Sequence, residues 1–316
     1  MQTVLTEMLG IQHPVLMAPM FLVSNVNMIV EAANSGIAGC IPALNYRTEE
    51  DFRKALMEIQ QRIPGKCYGI NLIGNKSNIR FHKQLEICVE FKVPFIITSL
   101  GSPQAVIEAC KPVGTKVFCD VIDLNYAKKV EALGADAIIA VNNEAGGHAG
   151  NLSPEEVIPL LSRNTRIPVI SAGGVGNKVG LNRMLALGAC GVSVGSPFIA
   201  SNEAPVNAEY KNAIVQYGAQ DIVRTTKISG TPCTVINTPF VKETGLEQNW
   251  LERTLASNKT LKKWVKMLTY YQGMKMLEKA AFSATYNTYW CAGQSIEHVH
   301  AIRPVKEIVK EITGGD

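Results

Sequence analysis

Short apolar segments alternate with amphipathic segments from the N-terminus to about residue 200, and this alternation constrains the fold more than any other feature. Each short segment is apolar at nearly every position, as expected of parallel strands that are covered on both faces. The eight predicted strands are Val15–Ala18, Ile37–Ile41, Tyr68–Ile73, Phe95–Ser99, Lys116–Val121, Ala137–Val141, Val169–Ser171 and Gly191–Gly195.

The segments between these strands have the apolar periodicity of helices. The predicted helices are Asn27–Ser35, Glu49–Arg62, Phe81–Phe91, Pro103–Lys111, Asn125–Leu133, Ser153–Ser162 and Lys178–Leu187. Eight βα units in series favour an α/β fold of the closed (β/α)8 TIM barrel type over an open, doubly wound sheet. A dinucleotide-binding sheet would carry Gly-x-Gly-x-x-Gly after its first strand, whereas Met17-Ala18-Pro19-Met20 stands there.

The alternation stops near residue 205, which indicates an insertion. Residues 206–284 are more polar and are predicted to be mainly helical. We therefore expect a barrel formed by residues 1–205 and 285–316, interrupted after the eighth strand by a smaller helical substrate or lid domain. Because the loops that follow the strands of a TIM barrel build its active site, this insertion would lie at the functional face.

The charge and cysteine content argues against several classes of protein. The 31 Lys and Arg residues and 27 Asp and Glu residues give a net charge of +4 and are scattered, so we expect no nucleic-acid partner. No window approaches the roughly 18 consecutive apolar residues of a membrane helix, and the N-terminus lacks the pattern of a secretory signal. We therefore expect no membrane partner and a cytoplasmic location. The eight cysteines form no Cys-x-x-Cys pair, which disfavours a metal site and a disulfide framework.

Two glycine-rich loops follow the seventh and eighth predicted strands. Glycine lets backbone N–H groups approach an anion closely, and TIM barrels bind phosphate at these two loops. Alternatively, the glycines only turn the chain. The occurrence of both loops on consecutive strands favours a phosphate site. Its candidate residues are Ala172, Gly173, Gly174, Val194, Gly195 and Ser196.

Polar side chains at other strand ends are further candidates. His148 stands between glycines in the loop after the sixth strand, where a histidine suits proton transfer near neutral pH, although most loop histidines are not catalytic. The amide of Asn71 suits either the edge of a heterocycle or a buried backbone group. Thr98 and Ser99 are equivalent candidates at the end of the fourth strand. Asp120, at the end of the fifth strand, would contact cofactor, substrate or a structural partner.

Together these loops resemble the FMN-dependent nitronate monooxygenase family, whose superfamily includes flavin-dependent enoyl-acyl-carrier-protein reductases and NAD(P)H:quinone reductases. The similarity spans residues 11 to about 200 and resumes near residue 290. The matching stretches are His13–Met20, Gly69–Asn71, Glu144–Gly150, Ser171–Val175, Val194–Phe198 and Ala292–Gln294. The Glu-Ala-Gly-Gly-His sequence is the most specific of them.

The resemblance implies an FMN cofactor and a role for individual residues. Ala18, Pro19 and Met20 would pack against the isoalloxazine ring, Asn71 would hydrogen-bond its edge, and His148 would face the substrate. The full set of expected cofactor-binding residues is Ala18, Pro19, Met20, Asn71, Thr98, Asp120, Gly147, Ala172, Gly173, Gly174, Val194, Gly195 and Ser196.

Two positions depart from the family pattern. Many members carry Gln or Glu shortly before the loop glutamate, where this chain has Asn142-Asn143, so an asparagine could supply the amide contact. Asp120 stands where some relatives carry a basic residue and others an apolar one. An acid near the flavin would disfavour the anionic reduced flavin, so this position bears on the redox tuning of the cofactor.

The resemblance implies that alkyl nitronates are oxidised by O2 through FMN to a carbonyl compound and nitrite, with His148 as the catalytic residue. Two alternatives stay open at this point. One is an NAD(P)H-dependent flavin reductase that acts on an enoyl-acyl-carrier-protein or a quinone. The other is a non-redox barrel enzyme that binds a phosphorylated metabolite with the same glycine loops. The expected partners are a small-molecule substrate and O2, and the sequence is compatible with a homodimer.

Overall fold

Eight parallel strands close into a barrel in the computed structural model, which describes residues 1–75, 78–228, 232–247 and 288–315, together with Lys275, Glu278 and Ala281. The barrel strands are β1 (Val15–Met17), β2 (Ala38–Pro42), β3 (Tyr68–Ile73), β4 (Phe95–Ser99), β5 (Lys116–Val121), β6 (Ala137–Val141), β8 (Val169–Ala172) and β9 (Gly191–Val194). Neighbours in this order pair in parallel, and β9 pairs with β1 to close the ring. The predicted TIM barrel is therefore confirmed.

Most helices of the described residues pack outside the barrel, whereas the first helix covers its amino-terminal end. The helices are α1 (Val4–Leu9), α2 (Val26–Asn34), α3 (Glu49–Arg62), α4 (Phe81–Glu90), α5 (Gln104–Cys110), α6 (Leu124–Leu133), α7 (Pro154–Asn164), α8 (Lys178–Ala186), α9 (Ser196–Ile199), α10 (Ala208–Gln216), α11 (Pro239–Thr244) and α12 (Val305–Thr313). Helix α12 packs against α2 and α8 and so takes the eighth helix position of the barrel. The final helix thus completes the ring only after the chain has left the barrel and returned.

The inside of the barrel is filled with apolar side chains at the amino-terminal end of the strands. Phe95 and Phe118 stack there with ring centroids 5.2 Å apart. The ring of Phe95 occupies the space where a side chain at position 69 would stand, so the third strand requires Gly69. Leu5 of α1 lies against Gly191 and closes this end. The polar side chains of Asn71, Ser99 and Asp120 lie at the opposite, carboxyl-terminal end of the barrel.

The described part of residues 206–284 differs from the predicted helical insertion, because it contains two strands as well as helices. Strands β10 (Ile222–Thr225) and β11 (Cys233–Ile236) pair antiparallel, and β11 pairs with β7 (Gly147–His148) in the order β10-β11-β7. Four-residue strands carry too little periodicity to be recognised beside a Pro- and Thr-rich stretch. The remaining positions predicted as helical, 248–274, 276–277, 279–280 and 282–284, lie outside the described residues. Within the described ranges, no helix has the length and apolar character needed to span a membrane.

Candidate active site

A cavity of about 880 Å³ opens at the carboxyl-terminal ends of the barrel strands. It is lined by the loops after the strands and, on the other side, by β11, Tyr289 and Cys291. The predicted site residues that line it are Ala18, Pro19, Met20, Asn71, Asp120, Gly147, His148, Ala172, Gly173, Gly174, Val194, Gly195 and Ser196. Residues that are far apart in the sequence therefore meet in one cavity.

Thr98 is the predicted site residue that the structure places elsewhere. Successive side chains of a strand point to opposite faces, and in β4 Phe95 and Ile97 point into the barrel. Thr98 therefore points outward, where its hydroxyl donates to the Cys119 sulphur at 3.4 Å. Ser99, one position further along, faces the cavity. The prediction for Thr98 was wrong because the sequence did not show which of the two hydroxyls lies on the inner face.

Three side chains form a hydrogen-bonded network across β3, β4 and β5. The amide of Asn71 donates to Ser99 Oγ at 2.8 Å and to the carbonyl oxygen of Ile97 at 3.1 Å. Ser99 in turn donates to Asp120 Oδ2 at 2.5 Å. Burial raises the pKa of Asp120 from 3.8 to about 6, and the hydrogen bond from Ser99 partly offsets that rise. We name these three residues the polar rim.

Glycines form the opposite wall, which we name the glycine wall and define as Gly173, Gly174 and Gly195. Gly173 and Gly174 follow β8 with φ of 119° and 79°, values that L side chains rarely adopt. A Cβ at Gly174 would collide with the carboxylate of Glu144, and a Cβ at Gly173 would collide with the side chain of Asn142. The backbone can reach the cavity here only because both residues lack a side chain.

Buried polar contacts hold the loop after β6 against the glycine wall. Asn142 is fully buried; its amide donates to the carbonyl oxygen of Gly173 at 3.2 Å, and its Oδ1 accepts from the amide of Glu144 at 2.9 Å. Neither Asn142 nor Asn143 lines the cavity. Arg183 of α8 contacts both carboxylate oxygens of Glu144, at 3.0 and 3.1 Å. Sequence inspection did not identify Arg183, because its partner lies 39 residues away.

The returning segment before residue 294 packs against the same loop. The amide of Gly293 donates to Ser196 Oγ at 2.8 Å. A Cβ at Gly146 would stand 2.8 Å from the nitrogen of Gly293, so the two backbones touch directly. Trp290 is buried and stacks on Tyr210, with ring centroids 5.7 Å apart and planes inclined by 8°. The returning segment therefore forms one side of the cavity.

His148 is held at the cavity by a short antiparallel pairing. It lies opposite Cys233, while Gly147 lies opposite Thr234 in the neighbouring position of β11. The Thr234 hydroxyl donates to the carbonyl oxygen of Ala145 at 2.6 Å, which fixes the preceding turn. The imidazole is open to the cavity, yet the surrounding protein atoms lower the pKa of His148 below its ordinary value of 6.5 by desolvation. A neutral imidazole at pH 7 can accept a proton.

The residues present fit the flavin nucleotide that the resemblance implies. The cavity volume of about 880 Å³ lies within the roughly 300–1,000 Å³ of typical ligand sites. The glycine wall leaves space for a phosphate beside backbone N–H groups, as anion sites of this fold require. The polar rim offers an amide, a hydroxyl and a carboxyl group at the far side. This donor set suits a phosphate at one end of a ligand and a heteroaromatic ring at the other.

Comparison with known proteins agrees with this geometry. Residues 68–315 match the family described as nitronate monooxygenase. A (3aS,4S,5R,7aS)-5-hydroxy-7a-methyl-1-oxo-octahydro-1H-indene-4-carboxyl-CoA dehydrogenase of Rhodococcus jostii is 30% identical over 241 residues, which cover 76% of this chain and 67% of the relative. A nitronate monooxygenase of Paraburkholderia phytofirmans is 27% identical over 272 residues, which cover 72% of this chain and 74% of the relative. The structure of FabK from Thermotoga maritima superimposes with a TM-score of 0.84 at 30% identity, covering 99% of this chain and 96% of that one.

Proposed function

This chain belongs to the nitronate monooxygenase family and is a flavin-dependent oxidoreductase, and from that premise we propose that it uses FMN and O2 to oxidise alkyl nitronates to a carbonyl compound and nitrite. The proposal rests on the position of His148, which lines the cavity beside the glycine wall and whose pKa is lowered by desolvation. A nitroalkane needs a neutral base beside its α-carbon, and its nitronate needs a hydrogen-bonding group there.

The cofactor would be held from two sides. The backbone of Gly173, Gly174 and Gly195 would receive the phosphate, and Asn71 would bond the edge of the ring system. Ala18 to Met20 would support the ring, since these three residues line the cavity between β1 and β9. When bound, FMN supplies an acceptor for the electrons of the substrate and a path for them to O2.

His148 would orient the substrate and move a proton. With a nitronate, the ring would hydrogen-bond a nitro oxygen and place the carbon in the cavity. With a neutral nitroalkane, a ring nitrogen of His148 would accept the α-proton, which the lowered pKa permits at neutral pH. The buried wall formed by β11 and Tyr289 would limit the access of water to this exchange.

A second candidate function is reduction of an enoyl thioester with NAD(P)H, which a separate observation favours. Leu100 and Ile122 line the cavity and are 48% and 49% exposed, so they offer an apolar surface beside the polar rim. An acyl chain would cover that surface, whereas a short nitronate would not. The carboxyl-CoA dehydrogenase of Rhodococcus jostii is named for a thioester substrate, in line with this candidate.

The two candidates differ in which compound reduces the flavin. In the absence of O2, we expect propane-2-nitronate alone to bleach the visible flavin absorbance of the purified protein, followed by nitrite release when O2 is admitted. Bleaching by NADH or NADPH, with no response to the nitronate, would replace the first candidate by the second. Heat-released cofactor that is not FMN would contradict the cofactor assignment.

The role of His148 is tested by substitution. His148→Ala is expected to lower kcat at least tenfold while the Kd for FMN, measured by flavin fluorescence, stays within about twofold. With a neutral nitroalkane as substrate, kcat/KM of the parent enzyme should rise with pH around a midpoint below pH 6.5, because desolvation lowers the pKa of the base. His82→Ala, at the exposed start of α4, serves as the control and should leave both values unchanged. An unchanged kcat in His148→Ala would reject the assignment.

We also propose that residues 1–205 and 285–316 form the flavin barrel and that residues 206–284 form a substrate-side unit. This division is supported by two observations. Strand β11, within residues 206–284, forms part of the cavity wall, and α12 packs in the ring of barrel helices. Replacement of residues 248–274 by a short glycine–serine linker should then alter KM for the substrate far more than the Kd for FMN. A loss of FMN binding in this variant would contradict the division.

A further inference from the structure

Two cysteines from distant parts of the chain meet on the cavity wall. Cys233 lies in β11 and Cys291 in the returning segment, and their sulphur atoms are 3.8 Å apart. Val235 forms an antiparallel bridge with Cys291. Because Cys233 is two positions from Val235, it lies on the same face and is the diagonal neighbour of Cys291.

The two sulphur atoms differ in how they can be reached. Both cysteines line the cavity, but Cys233 is 3% exposed, whereas Cys291 is partly exposed. Cys40, Cys88 and Cys110, by comparison, are fully buried in the barrel wall and do not line the cavity. A small oxidant that enters the cavity therefore meets Cys291 first and finds a second sulphur directly behind it.

We propose that Cys233 and Cys291 are an oxidation site at which a hydroperoxide converts the two thiols to a disulfide. The inference goes beyond the proposed function and needs neither flavin nor substrate. Hydrogen peroxide is the simplest oxidant of this class and is small enough for the cavity. The site is distinct from the polar rim and from the glycine wall, and it lies next to His148, which is paired directly with Cys233.

The reaction proceeds in two displacements. The thiolate of Cys291 attacks one peroxide oxygen; an S–O bond forms, the O–O bond breaks, and the departing hydroxide takes up the proton that the Cys291 thiol had released, giving water. The sulphur of Cys233 then attacks the sulphur of the Cys291 sulfenic acid. The S–S bond forms, the S–O bond breaks, and the proton of Cys233 leaves with the hydroxide as a second water. Two thiols and one peroxide thus give one disulfide and two waters.

The environment of Cys233 makes it the second of the two thiols to react. The contact with Cys291 and burial raise the pKa of the Cys233 thiol well above its ordinary value. Cys233 therefore keeps its proton while Cys291 reacts, and its proton is available for the hydroxide that leaves in the second displacement. The order of attack follows from the difference in burial between the two sulphur atoms.

The cross-link would join two walls of the cavity. Cys233 is paired to His148 through the β7–β11 ladder, and Cys291 lies two residues before Gly293, which donates to Ser196. A disulfide has its sulphur atoms about 2.05 Å apart, whereas they are now 3.8 Å apart. The two sulphur atoms must therefore move about 1.8 Å closer together, which would change the packing beside His148.

The test counts thiols in the full-length protein after treatment with excess hydrogen peroxide. We expect two fewer alkylatable cysteines than the eight present, complete recovery on reduction with dithiothreitol, and a non-reduced peptide pair that joins positions 233 and 291. Eight alkylatable thiols after treatment, or a cross-link that maps to other cysteines, would overturn the proposal.

Single substitutions separate the two steps. In Cys233→Ala, peroxide should leave a Cys291 sulfenic acid that dimedone captures, with no disulfide. In Cys291→Ala, position 233 should give at least tenfold less dimedone adduct than position 291 gives in Cys233→Ala. The matched control is Cys67→Ala, which removes a partly exposed cysteine that does not line the cavity and should still form the 233–291 cross-link. Equal dimedone labelling of the two positions would contradict the proposed order.

Discussion

The polar rim and the glycine wall face each other across one cavity, yet they are built on different principles. Asn71, Ser99 and Asp120 act through side chains whose hydrogen bonds and protonation can change. Gly173 and Gly174 act through the absence of side chains, in conformations that other residues adopt only with strain. One side of the site can therefore be tuned by pH or by substitution, whereas the other side requires empty space.

Within the glycine wall, a Cβ would make its shortest contact at Gly174, so we expect the largest effect on FMN binding there. Gly174→Ala places a Cβ at φ 79° against the Glu144 carboxylate, which Arg183 holds with two hydrogen bonds. Strain of about 1–3 kcal/mol and the displaced loop should together weaken FMN binding about a thousandfold, equivalent to about 4 kcal/mol. Fluorescence titration with FMN measures the change.

Gly195→Ala is the matched control within the glycine wall. Gly195 has an ordinary φ of −115°, and a Cβ there would meet Ala18 Cβ and Met20 Sδ at 3.6 Å, which is normal contact. We expect its Kd for FMN to change less than tenfold. Equal losses in the two variants would show that crowding by any methyl group, and not the conformation at Gly174, limits this wall.

The polar rim should respond to pH through Asp120. Because burial raises the folded pKa from 3.8 to about 6, the folded state binds this proton more tightly than the unfolded state. Asp120 thus contributes stability below pH 3.8 that is lost as the pH rises through 6, by up to about 3 kcal/mol. Asp120→Asn should therefore gain stability relative to the parent protein from pH 4 to pH 8, measured by urea unfolding.

Ser99→Ala sharpens this prediction. The Ser99 hydrogen bond lowers the pKa of Asp120, so its removal should move the midpoint of the pH dependence above 6. A difference between Asp120→Asn and the parent protein that is constant over this pH range would contradict the linkage. So would a midpoint that moves downward in Ser99→Ala.

The smallest effect, on the unfolding free energy, is expected at Leu100. This residue lies next to the polar rim and, unlike the residues of that rim, has a left-handed conformation with φ of 57°. Leu100→Gly removes a strain of roughly 1–2 kcal/mol and costs about 0.5–1 kcal/mol in chain entropy. Because the half-buried side chain is also lost, at a cost of roughly 1 kcal/mol, the unfolding free energy should change by less than about 0.5 kcal/mol. Ile122→Gly, at a similarly exposed residue without a positive φ, is the control and should be less stable than the parent protein. Destabilisation of equal size in both variants would contradict the account.

Several features of the site could be predicted because they depend on local patterns. The glycines after β8 and β9 and the histidine between glycines are readable from sequence, since strand ends in a parallel barrel converge on one face. The choice between Thr98 and Ser99 was not readable, because one residue of register reverses the face. Strands β10 and β11 were missed because four residues give little periodicity.

The amino-acid sequence is sufficient to predict the barrel, the end of the barrel at which the cavity opens, and a set of site residues of which all but Thr98 line that cavity. The barrel follows from apolar periodicity and the phosphate-site residues follow from glycine at strand ends, both of which are properties of neighbouring residues. Ala18, Pro19 and Met20 follow instead from the family resemblance. Which side chains touch depends on the folded chain: Arg183 contacts Glu144, Ser99 contacts Asp120, and Cys233 contacts Cys291. Each of these contacts joins residues separated by 21 to 58 positions, and such pairings are set by the packing of whole elements.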